Sequence, residues 1–300
     1  MSDKPERACE GCWSEGVRQR LFIFGNVRLE MRQLPRQENG PTLVWDIVKR
    51  AAADPEHVRM CGRIIQSSSP LRLAIVEGLD VSDSRMGNIR PRYNAAPSQE
   101  LLVIRENHKT GERSLDLIKW GLIPYWCKDP KGGRKPINAK AESVSRLPIF
   151  RDAYAERRCI VPVDGFFEWR AIKGARAKQP YAIAMKDGSP FGLAGLWENW
   201  RNPSTGDWER TFVVITVPSN DLVAQIHDRM PAILEPKSYG RWLGPEPDPH
   251  DLLITYPSEP MTMWPISTRV NKPENDDPSL LDRIGNPFDV TAPMRSEGRG

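Results

Sequence analysis

From residue 60 onward, apolar positions come in short runs broken by turn-forming residues, the rhythm of strands rather than of long helices. The runs at 101–104 and 115–120 bracket the turn-rich Asn107-His108-Lys109-Thr110-Gly111, which predicts a hairpin. Residues 158–163 and 166–170 flank Asp164-Gly165, and 181–185 and 191–197 flank Asp187-Gly188; each Asp-Gly pair predicts a tight turn. The β-branched, apolar stretch 211–217 predicts a buried strand. Helices are expected over 149–156, 219–226 and 237–243, the last with Pro236 at its first turn. Antiparallel strands with scattered short helices predict an α+β class. No internal repeat is visible.

The pattern changes at both ends. Residues 1–59 hold a lone Cys9-x-x-Cys12, an apolar piece at 21–24 and an expected helix over 43–53. They read as a poorly ordered leader or a mis-joined upstream extension. A lone CxxC is weak support for a zinc or redox site. Residues 60–272 read as one domain. The tail from 273 to 300 is rich in Pro, Asp, Asn and Gly and is expected to be disordered.

Composition narrows the class. No run of eighteen apolar residues exists, so no membrane-spanning helix is expected. Residues 1–20 are polar and lack a secretory apolar segment. Five cysteines, an odd number without regular spacing, fit a reducing compartment better than a disulfide framework. The net charge of +4 is modest, so any basic surface must be local.

Several residues could carry chemistry. Met60-Cys61-Gly62-Arg63 reads like a translation start. If Met60 is the initiator, its removal leaves Cys61 with a free amine beside its thiol, a pair that condenses with an aldehyde to a thiazolidine; an internal cysteine, with an amide nitrogen, cannot do this. The alternative for Cys61 is a small buried hydrophobe. Gly62 permits close backbone approach to a ligand, and Arg63 could grip a phosphate bidentately. Glu168, in Gly165-Phe166-Phe167-Glu168-Trp169, is either a desolvated acid/base or the solvent-facing residue of an alternating strand. His227, beside Asp228 and Arg229, is either functional or a satisfied structural histidine, and the four histidines show no zinc-like spacing. Asn138 could orient a reacting group or cap a turn. Arg90, Arg92 and Tyr93, and then Trp120, Tyr125 and Trp126 near Lys128, interleave cations with rings, the recipe for single-stranded nucleic acid, although plain cores also produce it.

In order along the chain stand Met60-Cys61-Gly62-Arg63, Arg92-Tyr93-Asn94-Ala95-Ala96-Pro97, Trp120-Gly121 with Pro124 and Trp126, Ile137-Asn138-Ala139-Lys140-Ala141-Glu142, Arg158-Cys159-Ile160 with Gly165-Phe166-Phe167-Glu168-Trp169, Ile226-His227-Asp228-Arg229-Met230-Pro231, and Trp264-Pro265-Ile266-Ser267 with Val270-Asn271. On these seven motifs the chain from Cys61 to about residue 271 resembles the SRAP (SOS-response-associated peptidase) family, which shields abasic sites in DNA.

The resemblance implies a single α+β domain around a curved, barrel-like, mostly antiparallel sheet with short flanking helices. It implies that Cys61 forms a thiazolidine with the ring-opened abasic sugar in single-stranded DNA, and that Asn138, Glu168 and His227 are the active-site partners. Arg63, Arg92, Lys140, Trp126, Trp169 and Arg229 are the expected DNA contacts. Lys140 stands where the family has arginine, keeping the charge but losing the fork geometry. No metal or organic cofactor is expected. The expected setting is cytoplasmic, in the bacterial DNA-damage response, with association to the nucleoid once crosslinked, and the expected state is a monomer. The family's peptidase name implies hydrolysis between Met60 and Cys61; either that cleavage or initiation at Met60 would free the amine. A thiol peptidase acting on other proteins and a non-covalent single-strand binder are the alternatives.

Overall fold

The computed structural model of the protein describes residues 62–76, 79–80, 89–107, 109–128, 135–172 and 177–285, and the backbone of 19–24, 27–33 and 45–48. Cys9, Cys12, His57, Cys61, His108 and the basic run 131–134 lie outside the described residues. The chain divides into two compact units, 1–59 and 60–300.

In the first unit, β1 (Gln19–Phe24), β2 (Val27–Gln33) and β3 (Trp45–Val48) make an antiparallel sheet in that order. The helix expected over 43–53 gives way to β3, because Trp45, Ile47 and Val48 are strand formers and pair with β2 from Gln33↔Trp45 to Glu30↔Val48.

In the second unit the strands are β4 (Ile64–Gln66), β5 (Leu79–Asp80), β6 (Arg92–Ala95), β7 (Glu100–Glu106), β8 (Arg113–Trp120), β9 (Asn138–Lys140), β10 (Arg158–Val163), β11 (Gly165–Arg170), β12 (Gln179–Met185), β13 (Phe191–Arg201), β14 (Trp208–Pro218), β15 (Arg229–Pro231), β16 (Ile233–Leu234) and β17 (Met261–Pro265). Five of them close into a ring. Antiparallel pairs run β14–β13–β10–β7–β8, and a short parallel pairing, Lys119↔Thr211 and Trp120↔Phe212, joins β8 back to β14. The fully buried Trp120 and Phe212 stack at this seam, centroids 5.9 Å apart, a contact worth about 1 kcal/mol beyond the burial itself. A second sheet, β17-β12-β11-β4-β6, is antiparallel throughout. Mostly antiparallel sheet with few and short helices, α1 (Pro70–Leu73), α2 (Arg151–Glu156) and α3 (Tyr239–Leu243), agrees with the fold expected from the sequence. None of these is long and apolar enough to cross a membrane.

The predicted hairpin at 100–120 is present as β7 and β8. The two Asp-Gly turns differ from expectation. β10 and β11 do not pair with each other; Asp164 is a corner that passes the chain from the barrel to the second sheet. Its carboxylate accepts from the Ser67 and Ser68 amides at 2.7 and 2.8 Å, and a Cβ on Gly165 would stand 2.6 Å from the Ile183 carbonyl oxygen. Asp187-Gly188 likewise carries the chain back, from β12 to β13, with Gly188 at φ 69°. The reason is burial: β10 is buried along its whole length, so it needs strands on both sides, and β7 and β13 supply them. Gln66 locks the layers together, donating to the Leu102 and Pro162 carbonyls and accepting from the Leu102 amide at 3.0 Å.

Arg158 is 1% exposed, and its five N–H groups meet five carbonyls, of Trp242, Tyr154, Ala155, Gly244 and Glu246. That match fastens the C-terminal ends of α2 and α3 to the barrel wall. Of the helix expected over 219–226 only a 3₁₀ turn, Val223–Gln225, forms; Asn220 caps it by accepting from the Val223 amide. The tail expected to be disordered from 273 is corrected as far as residue 285. Pro278–Leu281 is a 3₁₀ helix whose Leu280 is fully buried, and the Trp264 indole donates to the Leu281 carbonyl. One buried leucine and a few backbone partners outweigh the polar composition there.

Candidate functional site

The C-terminal end of β14 collects one half of the expected site. There β9 lies parallel to β14, with Val214↔Asn138 and Thr216↔Lys140. β15 also pairs with this end, and Thr216 opposes Pro231. Arg229 reaches across the strand. Its Nε donates to the Thr216 hydroxyl (3.3 Å), Nη2 to the Thr216 carbonyl (2.6 Å), and both terminal nitrogens to Glu142, at 2.6 and 2.9 Å. This fork-on-fork pair holds the Glu142 carboxyl below the usual carboxylate range. Arg229 therefore has one N–H left for a phosphate unless Glu142 yields.

His227 precedes β15 and is 8% exposed. Its Nδ1 accepts from the Arg229 amide at 3.0 Å, with Asp228 Oδ1 3.2 Å away. Nδ1 also lies 3.1 Å from the Arg229 carbonyl oxygen, so it accepts from the amide when the ring proton is on Nε2 and donates to the carbonyl when the proton is on Nδ1. Nε2 is buried and has no hydrogen-bond partner among the described residues. Burial pushes the His227 pKa below its ordinary value; Asp228 opposes this, while Lys178 and Arg229 add to it. Lys178 immediately precedes β12, so the barrel's His227 lies within electrostatic reach of the second sheet.

The other half of the site belongs to that sheet. Glu168 lies on β11 opposite Tyr181 and is 1% exposed, which resolves the two readings of this residue against a solvent-facing one. Beside it, the Phe167 amide donates to the Arg63 carbonyl at 3.1 Å. The Arg63 guanidinium donates to Asn94 Oδ1 (3.0 Å) and to the Val270 (2.5 Å) and Asn271 (3.2 Å) carbonyls. Burial lowers its pKa and Glu274 opposes that. Arg92 pairs with Asp276 at 2.8 Å and also bonds Gln99. Trp169 is half-buried, and its indole donates to Asn271 Oδ1 at 2.7 Å.

Trp126 and Tyr125 are each 53% exposed, whereas Trp120, grouped with them by sequence, is a core residue. Lys140 is exposed. Cys159 is fully buried, with its thiol pKa pushed well up by burial, and is structural. Sequence reasoning missed three residues that hold the site: Glu142, Asn94 and Asp276. The first two sit inside quoted motifs; Asp276 gave no signal, because it lies in the polar stretch read as tail.

These residues include a buried carboxylate, Glu168, a buried imidazole, His227, with an unmatched Nε2, and arginines with most of their donors engaged. Such groups can move protons at a polar, anionic ligand. A profile of the SOS response associated peptidase (SRAP) family matches residues 60–273. The chain is 40% identical over 200 residues to the abasic site processing protein YoqW of Bacillus subtilis, covering 65% of this chain and 88% of that one. It is 37% identical over 228 residues to YoaM of the same organism, covering 74% and 98%. It is also 31% identical over 232 residues to the abasic site processing protein HMCES of Xenopus tropicalis, covering 67% and 69%. A crystal structure of a protein from Bacteroides thetaiotaomicron superposes with a TM-score of 0.66 at 28% identity, covering 75% of this chain and all of that one.

Proposed function

The chain belongs to the SOS response associated peptidase family, and from that premise we propose that it processes abasic sites in DNA by forming a covalent bond to them through Cys61. The Cys61 α-amine, with an ordinary pKa near 7.7–8, attacks the aldehyde of the ring-opened sugar. Water leaves and an imine forms. The thiol then adds across the C=N bond: sulfur bonds to carbon and the thiol proton passes to nitrogen, closing a thiazolidine. The net change is loss of one water.

Three residues serve these steps. Glu168 shuttles the protons at nitrogen and at the departing oxygen. His227 hydrogen-bonds the sugar through Nε2. Asn138 orients the reacting sugar. Lys140 and the remaining donors of Arg229 and Arg63 meet phosphates, and Trp126 stacks a base. The same acid/base pair serves hydrolysis between Met60 and Cys61, which frees the amine when the chain is made from Met1.

The observation that supports this most is the open Nε2 of the buried His227, a polar atom that native proteins rarely leave unmatched. The test is a denaturing gel with single-stranded DNA bearing one abasic site, run with residues 1–300 and with a chain beginning at Cys61. A heat-stable shift from the shorter form, lost in Cys61→Ser, is expected. A shift from the long form after loss of residues 1–60 by mass would add the cleavage step. No shift from either form sinks the proposal and leaves non-covalent binding or peptidase activity.

A further inference from the structure

Residues 268–276 cross the outer edge of the second sheet, and their polar contacts converge on the candidate site. The Asn94 side chain is fully buried, and every polar atom of it is matched. Its Oδ1 accepts from Arg63, and its Nδ2 lies within 3.1 Å of the Val270, Lys272 and Asn275 carbonyls. Asp276 answers from the crossing segment. Its Oδ1 accepts from the Tyr93 and Asn94 amides at 2.6 and 2.8 Å, and Oδ2 accepts from Arg92. β6 is the edge strand of its sheet, so Asp276 closes amides that an edge would leave open. Two further contacts reach the neighbours of the reacting groups. Arg63, two residues after Cys61, gives two of its donors to the Val270 and Asn271 carbonyls, and Trp169, next to Glu168, is held by Asn271.

We propose that residues 268–276 act as a strap that aligns the amine end of the domain with Glu168, with Asn94, Asn271 and Asp276 as positioning residues. The three act through the residues they hold, Arg63, Arg92 and Trp169. The strap fixes Arg63 from its side chain while the Phe167 amide fixes the same residue at its carbonyl. It holds the Trp169 ring from the opposite side. The inference rests on the covalent reading above.

The experiment uses whichever wild-type form gives the adduct. It compares Asp276→Asn, Asn271→Ala and Asn94→Ala with wild type in two measurements. The first is the first-order rate of adduct formation at saturating abasic single-stranded DNA. The second is the Kd for the same strand carrying a tetrahydrofuran site, which has no aldehyde. A misplaced reacting group costs rate, not affinity. Asp276→Asn should slow the adduct about tenfold, and Asn271→Ala about threefold, with Kd within about twofold of wild type. A merely structural strap predicts something else: the reacting fraction falls with thermal stability, while the rate constant of the folded fraction stays at the wild-type value. That result in Asp276→Asn and Asn271→Ala overturns the proposal. Asn271 is exposed and its change removes a single side-chain bond, so this variant decides the matter even where Asn94→Ala does not fold. Absence of any adduct from wild type is seen before the variants are read, and it removes the covalent reading and the strap's role together.

Discussion

The two halves of the site are built by different means. At the end of β14, the contacts of His227 and Arg229 are short or follow strand register: an amide two residues away fixes the imidazole, and Thr216 on the paired strand holds the guanidinium. On the second sheet, Arg63, Arg92 and Trp169 take their partners from a segment 102 to 208 positions further along the chain. The barrel half is thus preset by strand pairing, whereas the sheet half exists only after the chain's far end has docked. Chemistry that needs both an amine and a proton carrier in register depends on the less local half for its alignment and on the more local half for its rigidity.

The comparison breaks most severely at Glu168. Glu168→Gln keeps the shape and removes the proton carrier, and adduct formation at saturating DNA should fall by about 100-fold or more, with the melting temperature held. An unchanged rate would assign the proton transfers elsewhere. On the barrel half, His227→Ala should slow the reaction by about tenfold to 100-fold and change its pH profile. Burial lowers the His227 pKa, so the neutral ring persists below the ordinary histidine range. The acid limb set by the Cys61 α-amine, near 7.7–8, should persist in both proteins, and a further limb below the ordinary histidine range should be present in wild type and absent from the variant. The same depression means that folding stability falls as pH drops through the unfolded histidine value, with the loss complete below the folded one. Glu142→Gln tests the one long-range contact of the barrel half described above, 87 positions from Arg229. It frees Arg229 for phosphate, so affinity for single-stranded DNA should rise modestly, while stability drops by at most about 1 kcal/mol for so exposed a partner. That contribution is present above the ordinary carboxylate range and is lost as pH falls through the depressed Glu142 value. The smallest effect is Lys140→Ala, which should lower the slope of log K against log salt by about 0.7 on single strands; an unchanged slope would take Lys140 out of the interface.

What the sequence made legible divides along the same line. The β7–β8 hairpin was readable because the turn and both strands are neighbours, and β14 was readable because a long β-branched run has few other homes. His227, Glu168 and Asn138 stood inside motifs with fixed spacing. Asp164-Gly165 was misread, because a tight-turn dipeptide looks the same whether the chain returns beside itself or crosses to another sheet; only the two-sided burial of β10 separates them. Trp120 was grouped with Tyr125 and Trp126 by adjacency, yet its stacking on Phe212 comes from a parallel pairing 92 positions away that no local pattern encodes. Asp276 was hidden for the same reason: its value lies in two amides more than 180 positions earlier.

That separation has a consequence for the chain as it is made. Arg63 and the Asn271 carbonyl are 208 residues apart, so at roughly 5–20 residues per second of synthesis the arginine waits on the order of 10–40 s on the ribosome before the carbonyls that hold it exist. During that interval the β14 end is also unbuilt, since β14, too, emerges late. On the proposed covalent reading, Cys61 is translated early in the domain while the partners that hold Arg63 come late, so a nascent chain carries that cysteine unarmed until the molecule is nearly finished.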